Sequence, residues 1–239
     1  MGEDYPVMMK EERKLNGNGN DPPAAAAAAA HFVLIHGIGG GAWCWYKMKC
    51  LMENCGYKVT CLDLKGAGMD QTDPNAVVSF EDYNQPLLDF LSSLHDHQQV
   101  ILVGHSAGGL SLSDAIHRYG NKKIKLAIFI AATMLKSGYL TNQDLKHDAT
   151  LAEMLLRPGP VQALVTARFP LAEKDEDEVP RIYIKTTQDN VIKAEQQEAM
   201  ISKWPPQHVY VLESDHSPFF SAPFLLFGLL VKAAVSFGY

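Results

Sequence analysis

The sequence has no basic stripe, no close cysteine pair and no uninterrupted apolar stretch of membrane length. Lysine and arginine number 21 against 27 acidic residues, a formal net charge of −6. The counterion release that drives nucleic-acid binding therefore has little to act on, and no DNA or RNA partner is expected. The four cysteines, Cys44, Cys50, Cys55 and Cys61, fall within one stretch but lack the C-x-x-C spacing of zinc modules, which predicts reduced core thiols and no metal. The longest apolar run, residues 219–235, is interrupted by Pro223 and Lys232 and falls short of the roughly 18 uninterrupted apolar residues that a membrane span needs. A soluble protein with no membrane partner is expected. The N-terminus carries acidic Glu3 and Asp4 ahead of any apolar stretch, and Pro6 stands where a myristoylation signal needs Ser or Thr. No export or anchor signal is visible, which points to the cytoplasm.

Large apolar side chains are also scarce in residues 1–30. That stretch combines charges, the repeat Asn16-Gly17-Asn18-Gly19-Asn20, two adjacent prolines and seven alanines from Ala24 to Ala30. It offers too little apolar surface to offset ordering entropy, so a disordered tail is expected. The remaining chain, 31–239, is expected to form one domain. With 47% apolar and 20% charged residues overall, the protein can build a sizeable core.

From His31 onward, short apolar runs alternate with longer periodic segments, the pattern of strands and crossover helices in a parallel sheet. Strands are predicted over 31–35, 58–64, 100–103, 124–131, 181–185 and 208–212. Helices are predicted over 45–55, 80–94, 107–119, 194–204 and 223–237. Ser79 with Asp82 three residues on reads as a helix start, and Pro223 suits a first helical turn. These elements predict a three-layer α/β fold with about six mainly parallel strands. Residues 133–179 break the rhythm with one short helix near 143–156, Pro158 and Pro160, and an acidic run at 173–178. They read as a reduced cap above the sheet, with the acidic run a solvated loop.

Gly104-His105-Ser106-Ala107-Gly108 lies between an apolar strand and a helix. A G-x-S-x-G string alone arises by chance in roughly one chain of this length in ten, given glycine near 7% of residues. Its strand-to-helix context is what makes it a nucleophile turn, because only small flanking residues fit a bend that lifts the serine hydroxyl above the sheet. Ser106 is therefore the candidate nucleophile. A serine hydroxyl needs a base to take its proton and a third group to orient that base. His216 follows the last predicted strand and Asp189 the one before it, so the chain order is Ser106, Asp189, His216. All three stand just past the C-terminal ends of strands, where open α/β sheets gather their ligands. Asp215 competes with Asp189 as the acid, but as the neighbour of His216 it would need a reversed side chain. His95, His97, His117, His147 and His208 carry no expected role.

The oxyanion that forms in acyl transfer needs donors from the amide after the nucleophile and from the loop after an early strand. Ala107 supplies the first, and Ile38, in His36-Gly37-Ile38-Gly39-Gly40-Gly41, is the candidate for the second. A rival reading takes Gly37 to Ala42 as G-x-G-x-x-A, with Asp63 about 20 residues on as the ribose ligand of a dinucleotide. It leaves His36, the second glycine-flanked turn and His216 unexplained. Leu110, Phe219 and Trp204 are candidates to line a substrate pocket, with ordinary core packing expected for at least two of them.

Residues 31–64, including His36-Gly37 and Gly41-Ala42-Trp43-Cys44-Trp45-Tyr46-Lys47, resemble the plant methylesterase and hydroxynitrile lyase family of α/β-hydrolases. So do residues 100–109, Arg181-Ile182-Tyr183-Ile184-Lys185-Thr186, Asp189 and Asp215-His216-Ser217-Pro218-Phe219-Phe220. Within that family, residues 100–112 and Trp204-Pro205-Pro206 look most like the methylesterases of methyl indole-3-acetate. The resemblance implies a Ser106, His216 and Asp189 triad with no metal or organic cofactor. Hydroxynitrile lyases place a lysine after the histidine and a threonine in the first oxyanion loop, where this chain has Ser217 and Ile38, so cyanohydrin cleavage is disfavoured. The family's cap is longer, and residues 148–151 look like the bridge over a deletion. The expected activity is serine carboxylesterase action on small apolar methyl esters. The alternative is a hormone-binding α/β-hydrolase with an incomplete lid. The sequence leaves open whether the chain forms a homodimer.

Overall fold

The computed structural model of the protein describes residues 29–137, 159–169 and 179–239. Residues 1–28 of the expected tail, the short helix near 143–156, the bridge at 148–151 and the acidic run at 173–178 lie outside the described residues, whereas Ala30, the last residue of that tail, is corrected to part of the core: it is buried and its carbonyl accepts the Lys58 amide.

Among the described residues six strands form one sheet: β1 (His31–Ile35), β2 (Lys58–Leu62), β3 (Val100–His105), β4 (Ile124–Ile130), β5 (Arg181–Thr186) and β6 (His208–Leu212). Their order is β2-β1-β3-β4-β5-β6, and every pairing is parallel. The helices between them are α1 (Tyr46–Asn54), α2 (Phe80–Ser93), α3 (Gly108–Tyr119), α4 (Val161–Val165), α5 (Ala194–Lys203), α6 (Pro218–Ser221) and α7 (Pro223–Ser236).

The central strands read as continuous apolar runs because both faces are covered. On one face, Val33, Ile35, Leu102, Phe129 and Tyr183 pack with side chains of α2, α3 and α5. On the other, Phe32, Leu34, Ile101, Val103 and Ile182 pack against Met48 and Met52 of α1 and Leu226 and Leu230 of α7. This is the expected three-layer α/β architecture, and among the described residues no helix is long and apolar enough to cross a membrane.

Differences from expectation are local. β3 runs two residues past Val103, because Gly104 and His105 stay in register with Phe129 and Ile130 of β4. The first helix begins as a 3-10 turn (Ala42–Trp45) and becomes α-helical only at Tyr46. α4 and α6 are additional to the expected helices, and α6 starts on Pro218, where the missing N–H costs nothing. Of the four cysteines only Cys44 is a core thiol, with burial pushing it up to about 12. Cys50 and Cys55 are exposed and Cys61 is half-buried, so the expectation of four core thiols is corrected. Cys50 lies on the outward side of α1, Cys55 in the turn after it and Cys61 on edge strand β2, where it packs only partly against the core.

The topology creates one crevice. From β1 the chain turns outward to β2, then returns across β1 to β3 and continues the other way, so the loops after β1 and β3 diverge. That divergence is the topological switch point where open α/β sheets bind ligands.

Candidate active site

Ser106 occupies the bend between β3 and α3 with φ +52°, a left-handed conformation unusual for a residue with a side chain. The bend survives because neighbours fix it. Ser106 N–H donates to the Ile130 carbonyl, and the Ser106 carbonyl accepts from the Gly109 and Thr133 amides. Gly108 lies so close to β1 that a Cβ there would stand 2.6 Å from the His36 carbonyl oxygen and 2.8 Å from that of Ile35. The small residue after the nucleophile turn is thus imposed by the neighbouring strand.

Asp189 and His216 meet as the sequence reading expects. His216 Nδ1 lies 2.8 Å from Asp189 Oδ2. Asp189 Oδ2 also accepts from the Thr186 hydroxyl at 3.0 Å, while Oδ1 accepts from the amides of Val191 at 2.7 Å and Ile192 at 2.9 Å. Four donors converge on one buried carboxylate, which fixes its plane. A carboxylate only accepts, so the His216 proton sits on Nδ1 and the Nε2 lone pair is left to act as a base. Asp215 points elsewhere, its Oδ1 accepting from the Ser217 amide at 2.9 Å and the Ser221 hydroxyl at 2.8 Å. It shapes the turn into α6.

The loops carrying nucleophile and base are tied together by His105. Its Nε2 lies 2.7 Å from the His216 backbone carbonyl, and its ring packs against His216, Trp45 and Phe219. The Ser106 hydroxyl itself makes no hydrogen bond among the described residues, so the nucleophile–base contact is open here. Such contacts are commonly long before substrate binds.

The loop after β1 forms a turn in which the Gly40 amide donates to the Gly37 carbonyl, and Gly39 takes φ +71°. Positive φ at the third residue of a four-residue turn selects glycine. Gly37 is pressed against the nucleophile, since a Cβ on it would lie 2.9 Å from Ser106 Cβ and 3.4 Å from Ser106 Oγ. The amides of Ile38 and Ala107 have no partner among the described residues, leaving both available to an oxyanion. His36, fully buried behind this loop, accepts the Leu64 amide at Nε2 (3.1 Å) and donates from Nδ1 to the Gly37 carbonyl (2.7 Å). Burial holds its pKa below the usual 6.5, which keeps this bridge neutral.

The dinucleotide alternative is disfavoured by how the same loop is used. Asp63, its would-be ribose ligand, accepts from the Ala42 amide at 2.6 Å and the Met69 amide at 3.2 Å. A Cβ on Gly41 would lie 2.4 Å from Gly68 Cα. The glycines therefore let two loops of the chain approach each other. Among the described residues no group of three or more His, Cys, Asp or Glu is placed to hold a metal.

Leu110 belongs to the core cluster on one sheet face and Phe219 to that on the other, with exposures of 1% and 3%, and Trp204 is buried at 1%. Trp204 packs under the Arg181 guanidinium and beside His117. His95 and His97 lie in the loop before β3, His208 opens β6, and His147 lies outside the described residues. Contacts that the sequence reading passed over are those of His36, His105 and Thr186. The signals for the first two were a histidine ending an apolar strand and a large polar residue inside a tight glycine-flanked turn.

Residues 32–227 match the model of the alpha/beta hydrolase family. The chain is 49% identical to Methylesterase 17 of Arabidopsis thaliana, the alignment covering 87% of this chain and 92% of that protein. It is 38% identical to a pheophorbidase of Raphanus sativus, covering 87% and 95%. The crystal structure of the methylesterase MES16 from Arabidopsis superposes with a TM-score of 0.75 at 39% identity, covering 87% of this chain and 99% of that one. The alignment with Methylesterase 17 spans 256 positions but takes in 87% of 239 residues, about 208, so about 48 positions have no counterpart in this chain.

Proposed function

The chain belongs to the plant methylesterases of the α/β hydrolase family and is a carboxylic ester hydrolase, and from that premise we propose that it cleaves small apolar methyl esters, methyl indole-3-acetate foremost, through Ser106, His216 and Asp189. The observation that carries the assignment of roles is the 2.8 Å contact of His216 Nδ1 with a fully hydrogen-bonded Asp189, in a chain whose nucleophile turn is wired to the same loop by His105.

Ser106 Oγ attacks the ester carbonyl carbon as its proton passes to His216 Nε2, and the carbonyl π electrons move to oxygen, giving an oxyanion that accepts hydrogen bonds from the Ile38 and Ala107 amides. Asp189 steadies the imidazolium through Nδ1–H without taking the proton. Collapse of the tetrahedral adduct expels methoxide, which leaves as methanol with the proton from Nε2. A water molecule then gives a proton to His216 and attacks the acyl-enzyme, releasing the acid and restoring Ser106.

Hydrolysis of methyl indole-3-acetate, methyl jasmonate and methyl salicylate, with Ser106→Ala alongside, tests this reading. Turnover of the indole ester is expected, with a loss of about three orders of magnitude or more in the variant. Equal turnover in both proteins would remove Ser106 from the mechanism. The roughly 48 alignment positions without a counterpart favour one second reading, a hormone-binding protein that retains a reactive serine. Fluorophosphonate labelling of Ser106 without ester turnover is the outcome that selects it.

A further inference from the structure

The Asp189 carboxylate is held from behind by two buried polar side chains. Gln197 is one of two residues that α5 buries, the other being Met200. Its side chain is wholly enclosed. A buried amide is costly unless every polar group is matched, and a leucine would serve packing at least as well. Here every group is matched. Gln197 Oε1 accepts the Thr186 amide at 3.1 Å, and Nε2 faces the carbonyls of Thr186 at 3.1 Å and Ile192 at 2.8 Å. The reversed amide would set its oxygen against two carbonyls and its NH2 against an N–H, so the partners themselves fix its orientation.

Gln197 Nε2 also lies 3.3 Å from Thr186 Oγ1. Nε2 has two N–H groups for these three acceptors, so the one directed at the Thr186 carbonyl is shared with the hydroxyl; because a carboxylate only accepts, the Thr186 hydroxyl proton points to Asp189 Oδ2 at 3.0 Å. The chain of donors is thus directed: Gln197 to Thr186, Thr186 to Asp189, and His216 to the same carboxylate oxygen. Gln197 bonds the Ile192 carbonyl while Asp189 bonds the Ile192 amide, so one peptide segment braces both.

We infer that Thr186 and Gln197 are positioning residues that orient Asp189 and temper the basicity it confers on His216; the inference rests on the proposed triad. Two donors share Oδ2. Without the Thr186 hydroxyl the carboxylate concentrates its charge on His216, the imidazolium is favoured, and His216 binds its proton up to a higher pH. Since the base must be neutral to work, the acid limb of the kcat/KM profile moves upward with it.

The test compares the full chain with Thr186→Val and Thr186→Ser, following methyl-ester hydrolysis across pH and the His216 imidazole by NMR titration, its signal identified by absence in His216→Ala. Thr186→Val is expected to lower kcat about tenfold with KM changed less than about twofold, the loss of one buried hydrogen bond to a charged group. Its acid limb and NMR midpoint are expected to move up together by about half a pH unit. Thr186→Ser, which keeps the hydroxyl, is expected to restore both. Gln197→Met is expected to move the midpoint in the same direction. A Thr186→Val protein with an unmoved His216 midpoint overturns the inference, whether or not kcat falls. The NMR arm needs no turnover, so a shifted midpoint in a chain that hydrolyses no ester would sink the proposed function and leave the positioning role standing.

Discussion

His105 and His216, 111 residues apart, are joined by a 2.7 Å contact between an imidazole Nε2 and a backbone carbonyl. A carbonyl only accepts, so His105 carries its proton on Nε2. Burial, with the nearby His216 adding to it, holds the His105 pKa well below 6.5. The neighbour of the nucleophile is therefore a neutral donor, and the His216 imidazolium formed during catalysis does not face a second cation.

Replacing that donor should act on the reaction more than on the fold. In His105→Phe a flat aromatic ring is kept while the His216 carbonyl loses its partner. About a tenfold fall in kcat/KM for p-nitrophenyl acetate is expected, with about 1 kcal/mol of stability lost in urea unfolding. His105→Gln retains an N–H and is expected to lose less of both. Full activity in His105→Phe would show that the base loop holds its place without this bond.

The two neighbouring carboxylates make a sharper contrast. Asp189 accepts His216 Nδ1–H, whereas Asp215 is committed to Ser217 and Ser221. Asp189→Asn is expected to lower kcat by about 10^4, because an amide in that place no longer selects the imidazole tautomer that leaves Nε2 free. Asp215→Asn keeps an oxygen for both of its donors and is expected to change kcat less than about threefold. The reverse ranking would reassign the acid.

Gly37 offers a test of the oxyanion loop. A methyl group there would stand 2.9 Å from Ser106 Cβ, so Gly37→Ala must push the loop and the nucleophile apart. A loss of about 10^2 in kcat/KM is expected, the scale set by misplacing a reacting group by about an ångström. Stability should fall by about 1 to 3 kcal/mol, as for other overpacked sites. Gly228→Ala, inside α7 where an added Cβ meets nothing within 4 Å, serves as the control: it is expected to match the parent in kcat/KM and to gain up to about 1 kcal/mol of stability from helix propensity.

These contrasts also mark how far the sequence could be read. Ser106, Asp189 and His216 were legible because each is a reactive residue just past an apolar strand, and strand ends in a parallel sheet share one edge. The glycines after β1 announced a tight loop, but the same letters fitted a dinucleotide site. Only the contacts of Asp63 with Ala42 and Met69 and of Gly41 with Gly68 separate the two. Thr186 and Gln197 were silent, since a threonine ending a strand and a glutamine in a helix are ordinary until both are found behind the same carboxylate. The cysteines were misread for a related reason: composition says a thiol is often buried, whereas the outward face of α1 decides it for Cys50.

Three buried histidines give the fold a predictable response to acid. His31, His36 and His105 all have pKa values below 6.5, burial being the main cause in each, and that of His31 falls to about 4, helped by Lys58. Unfolded, each imidazole takes up a proton near pH 6.5. The unfolded chain therefore binds more protons than the folded one below that pH, so their contribution is intact above about 6.5 and is lost as the pH falls toward the folded values. The urea midpoint should be level between about pH 7 and 8, below the range where unfolded thiols titrate, and lower at about pH 5, a window above the range where most carboxylates titrate. In His31→Gln the side chain can still bond the Thr60 hydroxyl, which His31 Nε2 meets at 2.8 Å, but it cannot titrate. Its midpoint is expected to fall less than the parent's over the same interval, and a fall as steep as the parent's would show that His31 does not carry the effect.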